Sequence, residues 1–460
     1  MNDRKTRAEK LFNDPRIVEG KRLILEALKD HTAQIKGLEI PSLHDESEIT
    51  AFNALRGAHL YYPLLGSGIG NGALVELEDG SVKYDLITGI GVHIFGHSHP
   101  KVVEASLDAS LRDIVMQGNL HQNVESYHLT KKLSEIAGLP HCFLTTSGVM
   151  ANENAVKLAF QKNAPANRIL AFDRCFAGRS LTFSQVTDKP AYRDGLPLNL
   201  QVDYIPYFDP DHAEESIHNA QAALLHAIQR YPKSHAIMMF ELIQGEAGFW
   251  QAPKEFFEPL MKICKEHHIA VFADEVQTFA RTTHFFIYQR LGLQSYIDIA
   301  AIGKLTQLAA TFFTEEYKPR PLLLSQTFTG STSSIFACQA ILDLLSNGNF
   351  YGEKGRMKEI ETRFHQHLAR MEKQGLVKGS FGLGSMVAFT PLDGSPDTAA
   401  KCAKALFANG VIGFVAGSHP TRIRFLVPAL VIKDEEIDAS MKIVEEMLQK
   451  VKDDVSHSAH

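Results

Sequence analysis

Groups able to do chemistry follow five apolar segments of the chain, each at the point where its segment ends. In chain order, they are HCFLTT followed by Ser147-Gly148-Val149, RILAF by Asp173 and then Phe176-Ala177-Gly178-Arg179, HAIMMF by Glu241 and Gln244-Gly245-Glu246, IAVFA by Asp274-Glu275-Val276-Gln277, and IDIAAIG by Lys304. If these segments are strands of one open α/β sheet, the groups meet at one edge, because ligands bind beyond the carboxyl ends of such strands. One edge would then hold acids, amides, a lysine, an aromatic ring, an arginine and the start of a helix.

This combination suits pyridoxal phosphate. A lysine amine such as Lys304 can form a Schiff base, and a carboxylate such as Asp274 can keep the pyridine nitrogen protonated so that the ring accepts electrons. Backbone amides at a helix N-terminus, here after Ser147, can hold a phosphate dianion. Each signal alone is commonplace, since an acid after a strand is more often a helix cap or an ion-pair partner. The prediction therefore depends on the whole set.

The surrounding elements predict an α/β fold. From about Pro100 to Ser333, apolar segments alternate with helical patterns such as PKEFFEPLMKICKEH, which indicates a large, mainly parallel sheet covered by helices on both faces. ALVELEDGSVKYDLI predicts a hairpin that turns at Asp79-Gly80. Helical spacing is present in DPRIVEGKRLILEALKDHTAQI, EKGRMKEIETRFHQHLARME and EEIDASMKIVEEMLQKV.

Length, composition and charge narrow the classes of protein. A chain of 460 residues exceeds one typical core, so more than one structural unit is expected. The net charge of -6 argues against a general nucleic-acid binder. The charged start MNDRKTRAEK is unlike a signal peptide, and no apolar run is long enough to span a bilayer. We therefore expect a cytoplasmic protein whose partners are small molecules, with neither nucleic acid nor membrane among them.

Two motifs resemble binding sites but lack the necessary context. GSGIGNG (66–72) precedes a hairpin and does not lead from a strand into a helix, so we predict a turn. His97 and His99 in GHSHP have no acid or cysteine at ligand spacing, so a structural turn is again expected. The five cysteines are far apart, and we predict no metal site.

The chain resembles the class III, or ω-amino acid, aminotransferases, which are pyridoxal-phosphate enzymes of fold type I. The family includes the acetylornithine, ornithine and 4-aminobutyrate aminotransferases. The resemblance runs from about Tyr61 to the last helix, and its landmarks are YDLITGIGVHIFGHSHP, TTSGVMANENAVKLA, FAGRS, ELIQGEAG, ADEVQT, GK and RIRFLVPALVIKDEEID. With the patterns above, it implies an N-terminal helical extension (1–60), a small α+β domain built from both chain ends (61–100 and 346–460) and a large cofactor-binding domain (101–345).

The resemblance also implies how the cofactor is held. Lys304 would be the Schiff-base lysine and proton carrier, and Asp274 would face the pyridine nitrogen. Gln277 would contact the phenolic oxygen, and Phe176 would stack on the ring.

The phosphate would be cradled by Ser147, Gly148 and Val149. In this family a threonine of the neighbouring subunit also reaches the phosphate. Thr327 in QTFTGSTSS matches it, with Thr329 as the alternative. That contact implies a homodimer with shared active sites.

Substrate contacts follow from the same resemblance. Arg424 matches the arginine that binds a carboxylate in bidentate fashion, and Glu246 matches the acid that pairs with it when the other substrate is bound. Such a switch lets one site accept 2-oxoglutarate and an ω-amine in turn. Arg179 matches the position that reads the distal carboxylate, Ile90 lies where ornithine-preferring members carry tyrosine, and Glu241 is a further substrate-side candidate.

Several landmarks depart from the family pattern. Met150 replaces an acid, Ala177 replaces a histidine beside the cofactor, and LTQLAATFF replaces a glycine-rich loop after the lysine. DEVQT leads into FARTTHFF, which has no glycine pair, and Gly330-Ser331-Thr332-Ser333 replaces a Gly-x-Asn-Pro string. These changes leave the cofactor set intact and the amino donor open.

We therefore predict amino transfer from an ω-amino acid or diamine-type donor to 2-oxoglutarate by a ping-pong mechanism through a Lys304 Schiff base. One alternative is other pyridoxal-phosphate chemistry on the same fold, such as that of a racemase, aminomutase or decarboxylase, because a fold does not determine a reaction. Another is a non-catalytic relative. Retention of Lys304, Asp274 and Gln277 together argues against the last.

Overall fold

The computed structural model describes residues 6–40, 47–113 and 115–458. The strands in these ranges are β1 (Gly66–Asn71), β2 (Leu74–Leu77), β3 (Val82–Asp85), β4 (Val115–Gln117), β5 (His141–Thr145), β6 (Arg168–Phe172), β7 (Gln201–Ile205), β8 (His235–Phe240), β9 (Ile243–Gln244), β10 (Trp250–Gln251), β11 (Ala270–Asp274), β12 (Ile299–Ile302), β13 (Ala309–Phe313), β14 (Phe328–Ser331), β15 (Val377–Phe381), β16 (Met386–Pro391), β17 (Val411–Ile412), β18 (Phe414–Ala416) and β19 (Arg422–Leu426).

The α-helices in the same ranges are α1 (Arg7–Phe12), α2 (Pro15–Thr32), α3 (Ser47–Arg56), α4 (Thr88–Gly91), α5 (Pro100–Ser110), α6 (Val124–Ala137), α7 (Gly148–Lys162), α8 (Phe183–Val186), α9 (Ala213–Arg230), α10 (Lys254–Glu266), α11 (Ile287–Arg290), α12 (Thr332–Asn347), α13 (Arg356–Lys373), α14 (Pro396–Ala408) and α15 (Asp434–Ser458). Short 3-10 turns lie at Pro190–Tyr192, Pro210–His212, Gln294–Tyr296, Lys304–Thr306 and Glu315–Tyr317. None of the helices in the described ranges is long and apolar enough to cross a membrane.

A seven-stranded sheet forms the centre of the fold, with strand order β5-β13-β12-β11-β8-β6-β7. The pairs from β12 to β7 are parallel, whereas β13 runs antiparallel to both of its neighbours. The predicted α/β class with a mainly parallel sheet is therefore confirmed. Sequence analysis missed β7 and β13, and β13 lies in the segment LTQLAATFF that replaces the expected glycine-rich loop.

Each face of this sheet has its own apolar core, as expected for strands buried on both sides. Side chains alternate along a strand, so Leu170 and Phe172 of β6 face one core while Ile169 and Ala171 face the other. Strands β8, β11 and β12 divide in the same way. Helices α6, α9, α10 and α12 cover the first face, and α7 covers the second. The sheet is thereby held rigid where its strands end.

Residues from both chain ends build two smaller sheets, with orders β1-β2-β3-β17 and β15-β16-β19-β18. The hairpin predicted at Asp79-Gly80 is formed by β2 and β3. GSGIGNG was predicted as a turn, and that prediction is wrong, because its first six residues form β1. Backbone pairing with β2 organises this glycine-rich strand through an irregular register between Gly66 and Gly70. The proposed domain boundaries stay a prediction.

The long helices near the chain ends agree with their sequence patterns. Helix α2 begins at Pro15 after the N-cap Asp14, and Lys21 on it pairs with Asp108 of α5 at 2.6 Å.

In the GHSHP turn, His99 caps α5, and the Nε2 of His97 lies 3.0 Å from the Oδ2 of Asp85. Both histidines therefore have structural partners, as the predicted turn requires.

The loop after β11 is organised by the buried carboxylate of Glu275. Its Oε1 accepts from the backbone N–H groups of Ile287 at 2.7 Å and Tyr288 at 3.1 Å, and its Oε2 accepts from the Thr278 hydroxyl. Glu275 is fully buried. The side chain of Glu275 thus ties together the two ends of the FARTTHFF segment, at Thr278 and at Ile287.

We expect Glu275→Ala to destabilise the protein, because the substitution leaves two buried N–H groups without an acceptor. The cost is about 3 kcal/mol, since each unsatisfied buried donor costs roughly 1–3 kcal/mol. A lower urea midpoint of unfolding would show it. Glu275→Gln keeps one acceptor oxygen, so it should lower the urea midpoint clearly less than Glu275→Ala does. Equal midpoints for the two variants would contradict this account.

Candidate active site

A cavity of about 260 Å³ opens where β8, β11 and β12 end and α7 begins. Its lining comprises Gly148, Val149, Asn152, Phe176, Ala177, Gly178, Glu241, Ile243, Glu246, Asp274, Val276, Gln277, Thr278 and Lys304. The structure therefore brings together groups from all five segments singled out in the sequence. Ser147 and Arg424 contact this set from its edge.

Asp274 is the last residue of β11, the middle strand of the large sheet, and is 7% exposed. Its Oδ1 accepts from the N–H of Val276 at 3.0 Å, and its Oδ2 accepts from the Asn152 amide at 2.7 Å. Burial raises the pKa of Asp274 to about 6, although both hydrogen bonds and the charge of Lys304 oppose the rise. Among the residues that the structure describes, no cation is bonded to this carboxylate, so it can pair with a protonated ring nitrogen.

Lys304 follows β12 and Gly303, in a 3-10 turn, with its backbone at φ +58°. Among the residues that the structure describes, its Nζ has no hydrogen-bond or ion-pair partner. Burial lowers the pKa of Lys304 from 10.5 to about 8, and the charges of Glu246 and Asp274 only partly oppose this. A free amine beside the cavity is therefore accessible near neutral pH, as nucleophilic chemistry requires.

Helix α7 presents its N-terminus to the cavity. Ser147 is the N-cap, and its Oγ accepts from the N–H of Met150 at 3.4 Å. The N–H groups of Gly148 and Val149 lie in the first turn, where no intrahelical acceptor exists. A Cβ at Gly148 would lie 2.5 Å from the Cγ1 of Val276, so glycine lets the helix start approach the loop after β11. The site suits a phosphate group.

Arg424 and Glu246 form a buried ion pair beside this cavity. The Nη2 of Arg424 lies 2.7 Å from the Oε1 of Glu246, and its Nη1 donates to the Gly245 carbonyl at 3.0 Å and to the Oε1 of Gln277 at 3.2 Å. Arg424 is fully buried. Burial alone would raise the pKa of Glu246, but the charges of Arg424 and Lys304 outweigh it and hold that pKa below its ordinary value.

Glu241 holds the backbone around the cavity. Its two carboxylate oxygens accept from the N–H of Phe176 at 3.1 Å and from the N–H of Gly245 at 2.8 Å. Burial and the charge of Asp274 raise the pKa of Glu241 to about 8. Because both oxygens serve backbone amides, Glu241 positions the Phe176 ring and the Glu246 turn, whereas direct substrate binding by it stays an untested prediction.

Besides Ser147 and Arg424, three predicted site residues lie outside the cavity lining: Thr327, Arg179 and Ile90. Thr327 is exposed, whereas Thr329 is 3% exposed. Arg179 is exposed and its guanidinium lies 4.0 Å from the ring centre of Tyr192. Ile90 lies in the four-residue α4, whose residues have left-handed backbone angles. Its side chain packs against the apolar core that contains Leu170 and Phe172.

Two residues at the site were not identified from the sequence. Asn152 orients Asp274, and its amide also donates to the carbonyl of Ala177 at 2.9 Å. The sequence signal for Asn152 was an amide side chain within the Ala-rich helical pattern that became α7. Gln307 stands in the altered loop after Lys304 with φ +61°, and its amide donates to the carbonyl of Val92 at 3.0 Å. It thereby ties that loop to the segment that follows Ile90.

The residues present fit pyridoxal phosphate. The cavity combines the amine of Lys304, the buried carboxylate of Asp274, amides at a helix start and the Phe176 ring. Each of the four suits one part of the cofactor: its aldehyde, pyridine nitrogen, phosphate and ring face.

We expect the rate at which the apo-protein captures pyridoxal phosphate to rise with pH and to level off near pH 8. A depressed lysine pKa makes the neutral amine the major form above about 8, whereas an ordinary lysine would need a pH near 10.5. The measurement is the appearance of cofactor absorbance against pH, with free acetyl-lysine as the reference reaction.

Glu246→Gln supplies the matched control for that profile. The charge of Glu246 raises the pKa of Lys304, so its removal should shift the plateau to lower pH. A plateau above pH 10 in the unchanged protein would contradict a depressed lysine pKa.

Comparison with known proteins agrees with this geometry. The family model described as aminotransferase class-III matches residues 66–448. Acetylornithine aminotransferase of Methanocaldococcus jannaschii is 29% identical over 401 residues, which cover 83% of this chain and 93% of that protein. Acetylornithine aminotransferase from Elizabethkingia anophelis has a similar structure, with a TM-score of 0.71 and 26% identity over 89% of this chain and 100% of that one.

A further solved structure shares the fold. The lysine aminotransferase from M. tuberculosis in the internal aldimine form has a TM-score of 0.78 and 23% identity, over 88% of this chain and 99% of that chain. The family match covers most of the present chain. The chain therefore belongs to the class III aminotransferases, which are pyridoxal-phosphate-dependent enzymes of fold type I.

Proposed function

We propose that this enzyme moves an amino group from an ω-amino acid or diamine-type donor to 2-oxoglutarate by a ping-pong mechanism. The observation that carries the proposal is the buried ion pair between Arg424 and Glu246, at 2.7 Å, beside the free amine of Lys304. A buried arginine can bind a substrate carboxylate through its planar fork, and an acid that pairs with it can take its place when a substrate without a nearby carboxylate is bound.

Lys304 supplies the reactive amine of the chain. Pyridoxal phosphate, when bound, supplies an electron sink for the carbon that carries the amino group. The Nζ of Lys304 would hold the cofactor covalently and, once free, would remove and return the proton at the substrate carbon. Its pKa of about 8 suits both duties, because a general base works best when its pKa lies near the working pH.

Other residues of the cavity hold and orient the cofactor in this proposal. Asp274 would face the pyridine nitrogen, Gln277 the phenolic oxygen and Phe176 the ring. Support comes from their positions on the cavity wall. The N-terminus of α7 would bind the phosphate.

The pair of Arg424 and Glu246 would work as a switch between the two half-reactions. With 2-oxoglutarate bound, Arg424 would bind the substrate carboxylate from its present position, and Glu246 would be displaced. With an ω-amine bound, Glu246 returns and neutralises the arginine. The 26% exposure of the Glu246 side chain supports such movement, because Arg424 is held by Gly245 and Gln277 while Glu246 faces the cavity.

We further propose a homodimer with shared active sites. Thr327 is exposed, as a residue that serves the neighbouring subunit must be before assembly. Exposed apolar side chains occur on the same part of the chain: Phe328 is 56% exposed, and Leu120, close to the strand β4 that pairs with β14, is 86% exposed. Exposed apolar side chains mark a protein contact where they form one contiguous patch.

The half-reactions test the transfer directly. An amino donor should abolish the absorbance of the lysine-bound cofactor, and 2-oxoglutarate should restore it. A screen with acetylornithine, L-lysine, 4-aminobutyrate and 1,4-diaminobutane would identify the donor. Absorbance that never returns with 2-oxoglutarate, or turnover that needs no added keto acid, would exclude transamination and favour an aminomutase or racemase.

Arg424→Lys should weaken 2-oxoglutarate binding by about ten- to a hundredfold, because lysine keeps the charge but loses the planar fork. The donor half-reaction should change much less. The measurement is the concentration dependence of each half-reaction. An equal loss in both half-reactions would remove Arg424 from the role of carboxylate receptor.

Substitution of each threonine by valine distinguishes the two candidates for the shared phosphate contact. Thr327→Val should weaken cofactor binding by about tenfold, since it removes one hydrogen bond to a charged group. Thr329→Val should have little effect, because the Thr329 hydroxyl is buried and has no partner among the described residues. Fluorescence titration with pyridoxal phosphate gives the affinities, and sedimentation gives the assembly state. A monomer that binds the cofactor at full affinity would refute shared sites.

A further inference from the structure

Strand β19 carries a second buried arginine, two residues before Arg424. Successive side chains on a strand point to opposite faces, so Arg422 and Arg424 lie on the same face. Arg422 is 1% exposed, and its only ion or hydrogen-bond contact among the described residues is the one from Nη1 to the Gly248 carbonyl, at 2.6 Å. No carboxylate of the described residues bonds to Arg422, so the hydrogen bond to Gly248 and the neighbouring rings must offset the cost of burying its charge.

The partner of Arg422 belongs to the turn that carries Glu246. Strands β9 and β10 pair as a short hairpin whose turn spans residues 245–249. Three carbonyls of this turn accept hydrogen bonds from the β18–β19 region: Gly245 from Arg424 at 3.0 Å, Glu246 from the N–H of Gly417 at 2.8 Å, and Gly248 from Arg422 at 2.6 Å. The backbone of Glu246 is therefore held on both sides.

Aromatic rings restrict Arg422 to this position. Its Cζ lies 3.3 Å from the ring centre of Phe381 and 4.3 Å from that of Trp250. A Cβ on Gly248 would approach the Cδ of Arg422 to 2.9 Å, so glycine is needed at that point of the turn. The guanidinium is thus a rigid donor directed at one carbonyl.

We propose that Arg422 is a positioning residue for the switch formed by Arg424 and Glu246, and that it favours the amine half-reaction over the acceptor half-reaction. This inference rests on the proposed function. With the turn held, Glu246 loses little backbone freedom when it returns to Arg424. Without Arg422, return of Glu246 costs additional conformational entropy, and a substrate carboxylate competes with a weaker ion pair.

The test compares the two half-reactions in the cofactor-loaded enzyme, with 2-oxoglutarate as acceptor and each donor from the screen that reacts with the unchanged protein. Arg422→Met keeps an apolar side chain between the rings and removes the donor to Gly248. For the donor half-reaction, we expect the rate constant divided by Kd to fall about tenfold, which is the effect of losing one charge-assisted hydrogen bond. The affinity for 2-oxoglutarate should stay the same or increase. Arg422→Lys, which can still donate, should recover most of the loss.

Arg174→Met is the matched control. Arg174 also lies over Trp250, with its Cζ 4.8 Å from the ring centre, but makes no hydrogen bond to the turn. We expect no change in the ratio of the two half-reactions for this variant. In a Glu246→Gln background, Arg422→Met should likewise leave the ratio unchanged, because the pair that it positions is already weakened.

Each other outcome overturns the inference. Equal losses in both half-reactions, with no recovery by lysine, would reduce Arg422 to a stabilising residue. A full tenfold effect that persists in the Glu246→Gln background would show that Arg422 acts independently of Glu246. If the unchanged protein fails to react with 2-oxoglutarate, the proposed function falls as well. If the unchanged protein reacts with 2-oxoglutarate but Arg422→Met does not change the ratio of the two half-reactions, only the inference about Arg422 is wrong.

Discussion

The active site depends on one buried carboxylate, that of Asp274, which is bonded to no cation among the described residues. Asp274 ends the middle strand of the seven-stranded sheet and accepts hydrogen bonds from two neutral N–H donors, Asn152 and Val276. An isolated charge in such a place costs several kcal/mol, and its raised pKa expresses that cost. A protonated ring nitrogen offsets the cost, so the site favours the cofactor in its electron-accepting form. The helix α7, which contributes both Asn152 and the phosphate-binding amides, links the two ends of the cofactor site.

A second set of contacts connects this centre to the sheet that contains β19. Gln277, three residues after Asp274, accepts from Arg424, and Arg424 in turn holds Glu246. The cofactor residues and the carboxylate-binding residues are therefore in hydrogen-bond contact through one amide side chain. Gly245 has no room for a side chain, since a Cβ there would lie 2.1 Å from the Oε1 of Gln277. Close packing keeps the two halves of the site in register.

Much of this arrangement could be predicted from the sequence because the apolar strands and the groups that follow them are adjacent along the chain. Asp274, Lys304 and the start of α7 each lie directly after a recognisable segment. Strand β13 was not predicted, because its Ala-Ala-Thr core has a weak strand propensity. It becomes a strand through its pairing with β5 and β12. The role of Asn152 was not predicted either, because it depends on the carboxylate of Asp274, which is distant along the chain. Arg422 was visible in RIRFLVP, but its partner Gly248 is known only from the folded structure.

The pairing of β17 with β3 has a consequence for how the molecule is made. Val411 lies beside Tyr84, so a sheet begun early in the chain is completed only by residues near its end. Arg424 follows β17, so the ion pair between Arg424 and Glu246 forms only after the chain beyond β17 has been made. Contacts between such distant residues form slowly, because the intervening chain must first be ordered. Lys304 and Asp274 both precede Arg424 along the chain, so carboxylate recognition is the part of the site that depends on the most distant segment.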